Sequence, residues 1–289
     1  MVKPPRPCQN AAMSTIAPDL HTSHSAFGRV LRAARGARKL SQLDLAGVAE
    51  ISQRHLSFLE SGRARPSRAM VLQLAESLNL PLSNRNRMLV AAGFAPVYPQ
   101  RNLDSPDMLP VRQALERMLS HHEPFPAIVL DRGWNILMAN QAMERLFAVP
   151  GDPTAMWRRV CGEGPRNMFK LTFHPEGLRP LILNLHQIGP ELLARARLEA
   201  LEQPAVAELL DEVLAYPGIP ARWKSSEPGG PPPPAMAAWL GLGELKVGFF
   251  TMLSTVGTPQ DLTTDGLRVE HMFPADAASE AVLRRLAGS

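Results

Sequence analysis

The chain has 289 residues, is 45% hydrophobic and carries a formal net charge of +4. Its length allows two domains of ordinary size. Its two cysteines, Cys8 and Cys161, are too few and too far apart for a disulfide framework, which fits a reducing, cytoplasmic setting. No apolar run reaches the roughly 18–20 residues of a membrane-spanning helix, so no membrane partner is expected.

Charge is unevenly placed. Residues 27–87 hold eleven Lys/Arg against four Asp/Glu, a net of +7. Residues 1–26 add +1, which leaves −4 for residues 88–289. A basic N-terminal unit on a mildly acidic body is the footprint of a polyanion binder, although a merely soluble surface has the same charge.

Residues 1–26 contain Pro, Ser and His without the apolar stretch of a secretory signal, and they read as a disordered arm, with Met13 as a second candidate start. From there the sequence predicts five short helices. Phe27, Val30, Leu31 and Ala34 share one face of the first, which Leu40 closes. Ser41 caps the second, with Asp44 at the third position approximating a capping box, and Leu45, Ala46 and Ala49 face inward. After Glu50 and Ile51, Ser52 caps a third helix. Ile51 and Leu56 have the spacing of a hydrophobic staple, and Gly62 ends the helix. A fourth opens at Pro66-Ser67 with Val71, Leu74, Ala75 and Leu78 as its stripe. A fifth, around 85–92, stops at Gly93.

The third helix raises the functional question. Its outer face carries Gln53, Arg54 and Ser57, and Arg63, Arg65 and Arg68 follow its exit. Two helices joined by a turn of about four residues, with polar side chains at the start of the second, form a helix-turn-helix. In the major groove Arg reads guanine and Gln reads adenine. Gln53 and Arg54 are therefore candidate base readers. Ser52, Gln42, Arg63, Arg65 and Arg68 suit phosphate contacts, which position without specifying. A helical bundle with a solvated outer face is the alternative, and the agreement of caps, staple and basic exit weighs against it.

The stretch LSQLDLAGVAEISQRHLSFLESGRARPSRAMVLQLAESLNLP, within residues 27–94, resembles the five-helix Cro/C1-type (XRE) DNA-binding domain of phage repressors. The resemblance implies a lambda-repressor-like fold and double-stranded operator DNA as partner, read by Gln42, Gln53, Arg54 and Ser57. Two positions depart from the pattern. Glu50 stands where the turn usually has Gly, at a cost of about 1 kcal/mol if its φ is positive. Phe58 replaces a polar reader and is read as packing on the fourth helix, with contact to a thymine methyl as the alternative.

Residues 95–107, rich in Pro and polar side chains, read as a linker. Residues 108–289 then read as a second, α+β domain. A helix at 109–120 precedes β-rich runs at 126–131 and 134–140 that suggest a hairpin across Arg132-Gly133. Helices follow at 141–147, 166–173, 178–200 and 204–215. EPGGPPPP (227–234) is a loop. Strands at about 235–241, 244–256 and 266–273 and a helix at 275–287 close the chain. The expected antiparallel sheet is thus drawn from both ends of the segment.

PAIVLDRGWNILMANQAMERLF, FKLTFHPEGLRPLILN, LLDEVLAYPGIPARW and STVGTPQDLTTDGLRVEHMFPAD resemble the ligand-binding domain of MmyB-like transcription regulators, a PAS-like fold. The resemblance implies a small apolar ligand, with a fatty acid as precedent. Trp134, Met138, Met143, Phe147, Trp157, Met168, Phe169 and Phe173 either line such a pocket or fill an ordinary core. Asn140, Phe169, Phe173, His174 and Arg179 are the candidate ligand contacts. Each has a plainer role: capping for Asn140, a turn for His174-Pro175, and a surface ion pair for Arg179.

No catalytic residue is assigned. The chain lacks a G-x-S-x-G elbow, a P-loop, a G-x-G-x-x-G after a strand and an H-E-x-x-H helix. His21/His24 and His121-His122 lack further ligands at metal spacing, so no metal is expected. Gly241 and Gly243 mark a turn. The expectation is a ligand-responsive DNA-binding transcriptional regulator with no cofactor beyond a small apolar effector, acting as a homodimer because one short helix reads few base pairs. Its alternative is a constitutive repressor whose C-terminal domain only dimerises.

Overall fold

The computed structural model describes residues 20–201, 203–224 and 235–288, and the chain divides between Tyr98 and Pro99 into two units.

The first unit contains α1 (Leu20–Ala37), α2 (Gln42–Val48), α3 (Gln53–Glu60), α4 (Arg68–Ser77) and α5 (Leu82–Ala91). Short helices of seven to ten residues are marginal in water and need their ends satisfied. Ser41 Oγ accepts from Asp44 N–H and the Asp44 carboxylate accepts from Ser41 N–H, a complete capping box. Ser52 Oγ accepts from His55 N–H, and Ser67 Oγ from Met70 N–H, both at 3.1 Å. Buried Phe27, Leu31, Leu45, Leu56, Leu59, Leu74 and Met88 make the core, and Ile51 packs on it as the staple requires. The turn between α2 and α3 passes through Glu50 at φ +53°, and Gly62 leaves α3 at φ +75°.

Two boundaries differ from the sequence reading. Helix α1 starts at Leu20, inside the stretch read as an arm, because nothing after Pro18 breaks a helix; residues 1–19 lie outside the described residues. Helix α5 opens at Leu82, directly behind Pro81, whose ring presets φ at the entry.

The second unit contains α6 (Leu109–His121), β1 (Ala127–Leu130), β2 (Ile136–Ala139), α7 (Gln141–Ala148), α8 (Pro153–Cys161), α9 (Met168–Phe173), α10 (Leu185–Ala200), α11 (Pro204–Ala215), β3 (Ala238–Leu242), β4 (Leu245–Thr255), α12 (Leu262–Gly266), β5 (Arg268–Pro274) and α13 (Ala277–Gly288). The strands form one antiparallel sheet in the order β2-β1-β5-β4-β3, so the last strand joins the two hairpins. The sheet is drawn from both ends of the segment, as expected for an α+β domain. One face carries the main core, where Phe147, Phe169, Phe173, Leu193 and Val247 are buried. On the other, Leu115 and Leu119 of α6 cover Ala127, Val129 and Val269.

The reading of 178–200 as one helix is corrected. A single 3₁₀ turn at Arg179–Leu181 gives way to the extended residue Ile182 and a turn at 183–184 before α10 begins. Ile182 bridges Leu240, Leu183 N–H donates to the Trp239 carbonyl at 2.8 Å, and Asn184 exchanges hydrogen bonds with Ala237 and Trp239. Residues 182–184 therefore satisfy the free edge of β3, which outweighs the local 3.6-residue period. Helices α8 and α12 were not anticipated.

The segment read as linker is held at both ends. Asn86 Oδ1 accepts from Val97 and Tyr98 N–H. Beyond the division, the Pro99 carbonyl accepts from Leu262 N–H and Arg101 pairs with Asp261 at 3.0 Å. Residues 227–234 lie outside the described residues. No described helix is long and apolar enough to cross a membrane.

Candidate functional site

Helix α3 presents its first turn outward. Gln53 and Arg54 are exposed and Ser57 is half-buried, while Leu56 and Leu59 anchor the opposite face. Ser52 is spent as cap through its acceptor, which leaves its hydroxyl hydrogen free to donate. The Arg54 guanidinium lies 5.3 Å from the Phe58 ring centroid, so Phe58 forms a shelf under the arginine. Arg63, Arg65 and Arg68 are exposed around the exit of α3 and the start of α4.

Gln42 is placed differently. Its Nε2 donates to Glu60 Oε2 at 2.8 Å. Glu60 has only 1% of its side chain exposed and takes two further hydrogen bonds from Arg35, at 2.7 and 3.0 Å, with Arg32 at 3.7 Å. Burial pushes the Glu60 carboxyl up, but the bonds from Arg35 and Gln42 and the charges of Arg35 and Arg32 outweigh it and hold it below the ordinary range. This network ties α1, the start of α2 and the end of α3 together. Sequence reasoning missed Arg35 and Glu60. The available signal was an acid at the 56, 59, 60 stripe, where a buried charge needs a partner.

The second unit contains a cavity of about 310 Å³ between the sheet and α7, α9 and α10. Trp134, Met143, Phe147, Met168 and Phe169 line it, together with Leu240, Phe249 and Met272 from the sheet. Of the five candidate contacts, Phe169 reaches the cavity. Asn140 instead caps α7, accepting from Met143 and Ala127 N–H at 3.0 Å and donating to the Phe125 carbonyl at 2.8 Å. Phe173 is fully buried against Phe169, with ring centroids 4.9 Å apart. His174 sits edge-on to Tyr216, and its Nδ1 accepts from Glu176 N–H; burial lowers its pKa first, against the nearby acids. Arg179 donates to the Pro217 carbonyl, a backbone rather than a ligand or surface acid. Among the other aromatic and Met candidates, Trp157 packs edge-on to Phe147 in the core, and Met138 faces a separate cleft on the far side of the sheet.

A polar cluster adjoins the cavity. Trp134, held at φ +65°, donates its indole N–H to Glu199 Oε2 at 2.8 Å. Glu199 Oε1 accepts from Arg195 Nε at 3.1 Å and Arg268 Nη1 at 2.9 Å. Arg195, Glu191 and Glu270 reach the cavity wall. None of these was a sequence candidate, although alternation in RVEHMF puts Arg268, Glu270 and Met272 on one strand face. Among the described residues no group of three or more His, Cys, Asp or Glu is placed to hold a metal ion.

Comparison with known proteins agrees with this division. Residues 111–286 match the model of the MmyB-like transcription regulator ligand binding domain, and residues 26–88 match a helix-turn-helix domain. The chain is also 37% identical over 70 residues to uncharacterized HTH-type transcriptional regulators of Mycobacterium bovis and of two strains of Mycobacterium tuberculosis. That match covers 24% of this chain and 27% of each relative.

Proposed function

This chain belongs to the MmyB-like transcription regulators, and we propose that it is a cytoplasmic, homodimeric, operator-binding regulator whose second unit holds a small apolar, fatty-acid-like ligand. The observation that carries the DNA-binding half is the first turn of α3, with Gln53 and Arg54 exposed on a capped helix in a strongly basic unit. Gln53 and Arg54 meet base edges. Ser52, Arg63, Arg65 and Arg68 meet phosphates. Gln42, held by Glu60, contributes to alignment of α2 on the backbone, and Ser57 supports the same face.

The ligand half rests on the apolar cavity, whose volume is at the small end of ligand sites. The ligand acts by differential affinity for two arrangements of the reading heads. A second reading, a constitutive regulator whose C-terminal unit only dimerises, is favoured by Met252 and Phe273, which stand exposed on the sheet face opposite the cavity.

The test selects binding sites for the full chain from a random duplex library, then repeats the selection with Arg54→Ala. The variant is expected to lose about 1–3 kcal/mol on the selected site and to relax one base position. An unchanged preference at every position would remove α3 from base reading.

A further inference from the structure

Phe58 lies between the polar side chains at the start of α3 and the arginines beyond its end. It follows Arg54 by four residues, so the two side chains are neighbours on one helix face. The Arg54 guanidinium stands over the ring, 5.3 Å from its centroid. The ring is half-buried, and among the described residues it is not one of those packed on the core that Leu56 and Leu59 help to build. Packing into the bundle therefore does not account for it.

Its backbone is fixed all the same. The Phe58 carbonyl accepts from Arg63 N–H at 2.8 Å, Ala64 N–H at 3.1 Å and the Ser61 hydroxyl at 3.3 Å. Arg54, in contrast, makes no hydrogen bond or ion pair among the described residues, and the ring is what it touches. A guanidinium over a ring keeps its N–H edge free, and that edge is the one that meets guanine O6 and N7. The ring itself has neither donor nor acceptor for a base. In the major groove the apolar feature of a base pair is the C5-methyl of thymine. Four residues of helix advance about 6 Å, and successive base pairs advance about 3.4 Å. A ring one turn beyond Arg54 therefore reaches a pair within two steps of the guanine.

We propose that Phe58 reads a pyrimidine C5-methyl group in the operator, beside the guanine held by Arg54. This rests on the base-reading role of α3 given above. It adds a second feature to the operator, a methyl-bearing base within two pairs of that guanine. 5-Methylcytosine carries the same group at the same place on its ring. Where cytosine replaces thymine at that pair, affinity then depends on whether the cytosine is methylated. Phe58 and Arg54 act as a unit, because the ring that covers the methyl also supports the guanidinium.

The experiment takes the site selected by the full chain and locates the guanine whose preference Arg54→Ala relaxes. Each thymine within two pairs of it, on either strand, is replaced singly by uracil, which lacks only the methyl. One such replacement is expected to lower affinity about threefold to fivefold, the effect of one buried methyl group. At that pair 5-methylcytosine should bind better than cytosine by a similar factor. Both differences should vanish in Phe58→Ala and survive in Phe58→Leu, which keeps an apolar side chain there. The uracil measurement on the unmodified chain needs no variant to fold. If no uracil replacement lowers affinity, or no thymine lies within two pairs of the guanine, the methyl reading is overturned while Arg54 keeps its guanine. A preference for thymine over uracil that persists in Phe58→Ala takes the methyl away from Phe58. If Arg54→Ala relaxes no position, this reading and the base-reading role of α3 fall together.

Discussion

Glu50 and Glu60 carry opposite consequences for stability. Glu50 occupies the left-handed region at φ +53°, where a side chain costs about 1 kcal/mol relative to Gly. Glu50→Gly is therefore expected to stabilise the first unit by about 0.5–1 kcal/mol, the relief of strain being offset in part by the greater freedom of the unfolded chain. All four tryptophans lie beyond residue 98, so indole fluorescence follows the second unit and far-ultraviolet ellipticity follows both. A shift in the ellipticity melt without a shift in fluorescence is the expected signature. Glu60 works through its ion pair with Arg35. Its carboxyl is held below the ordinary value, so its stabilisation is complete above about pH 4–5, the unfolded range, and is lost as pH falls through its folded value. Glu60→Gln should cost about 3 kcal/mol at pH 7, because Arg35 is left without its charge partner. The gap between variant and parent should narrow as pH falls through the lowered folded-state value of Glu60. A gap that stays constant with pH would mean packing, not charge, is what Glu60 contributes.

At the scale of elements, the α3–α4 connection and the β3–β4 hairpin make distinct demands. Arg63 and Arg65 stand exposed beside α3, and the role proposed for them is contact with phosphate, which carries no base information. Arg63→Ala or Arg65→Ala should weaken binding to selected and scrambled duplexes alike, and each should lower the slope of log K against log salt by about one. A loss confined to the selected sequence would assign them to base reading instead. In the hairpin, Trp239 lies directly across from Gly248, and a Cβ at Gly248 would meet the indole ring at 2.7 Å. Lys246 covers the same ring from 4.4 Å. Gly248→Val must move the indole or the backbone, at a cost of about 1–3 kcal/mol. The fluorescence melt should show it, and the reading helix should be untouched.

The whole molecule joins a basic reading unit to an α+β unit that contains an apolar cavity. One eight-residue helix contacts few base pairs, and the dimer proposed above would supply a second copy. Paired heads spaced one helical turn, about 34 Å, read a palindrome with half-sites about 10 base pairs apart. Light scattering of the full chain on a selected duplex should give two chains per site. One chain bound at full affinity to a single half-site would overturn the dimer. The proposed ligand control obeys linkage: a ligand changes operator affinity only as far as it prefers one of the two arrangements of the reading heads.

By itself the sequence determined what depends on neighbours along the chain. Ser41, Ser52 and Ser67 cap helices because a hydroxyl at that position reaches the free N–H groups of its own first turn. The Ile51–Leu56 spacing, the Gly62 exit and the basic exposed face of α3 are local in the same sense, and so the reading unit was legible before any coordinates. The order of apolar runs also announced an antiparallel sheet assembled from both ends of the second unit. What only the tertiary structure decided involves groups far apart in sequence. The run at 178–200 has unbroken helical periodicity, yet residues 182–184 leave the helix because the edge of β3 offers them hydrogen bonds. Gln42 looks like a free reader until Glu60, eighteen residues away, is seen to hold it. Asn140, Phe173, His174 and Arg179 have the right chemistry for a ligand but are used up by caps, core and backbone. Arg195, Glu199, Arg268 and Glu270 look like ordinary surface charges, and only the ion pairs between α10 and β5 bring them together, with Arg195 and Glu270 at the cavity wall. Local hydrogen bonding is written into short windows of sequence; burial and charge pairing are properties of the packed chain.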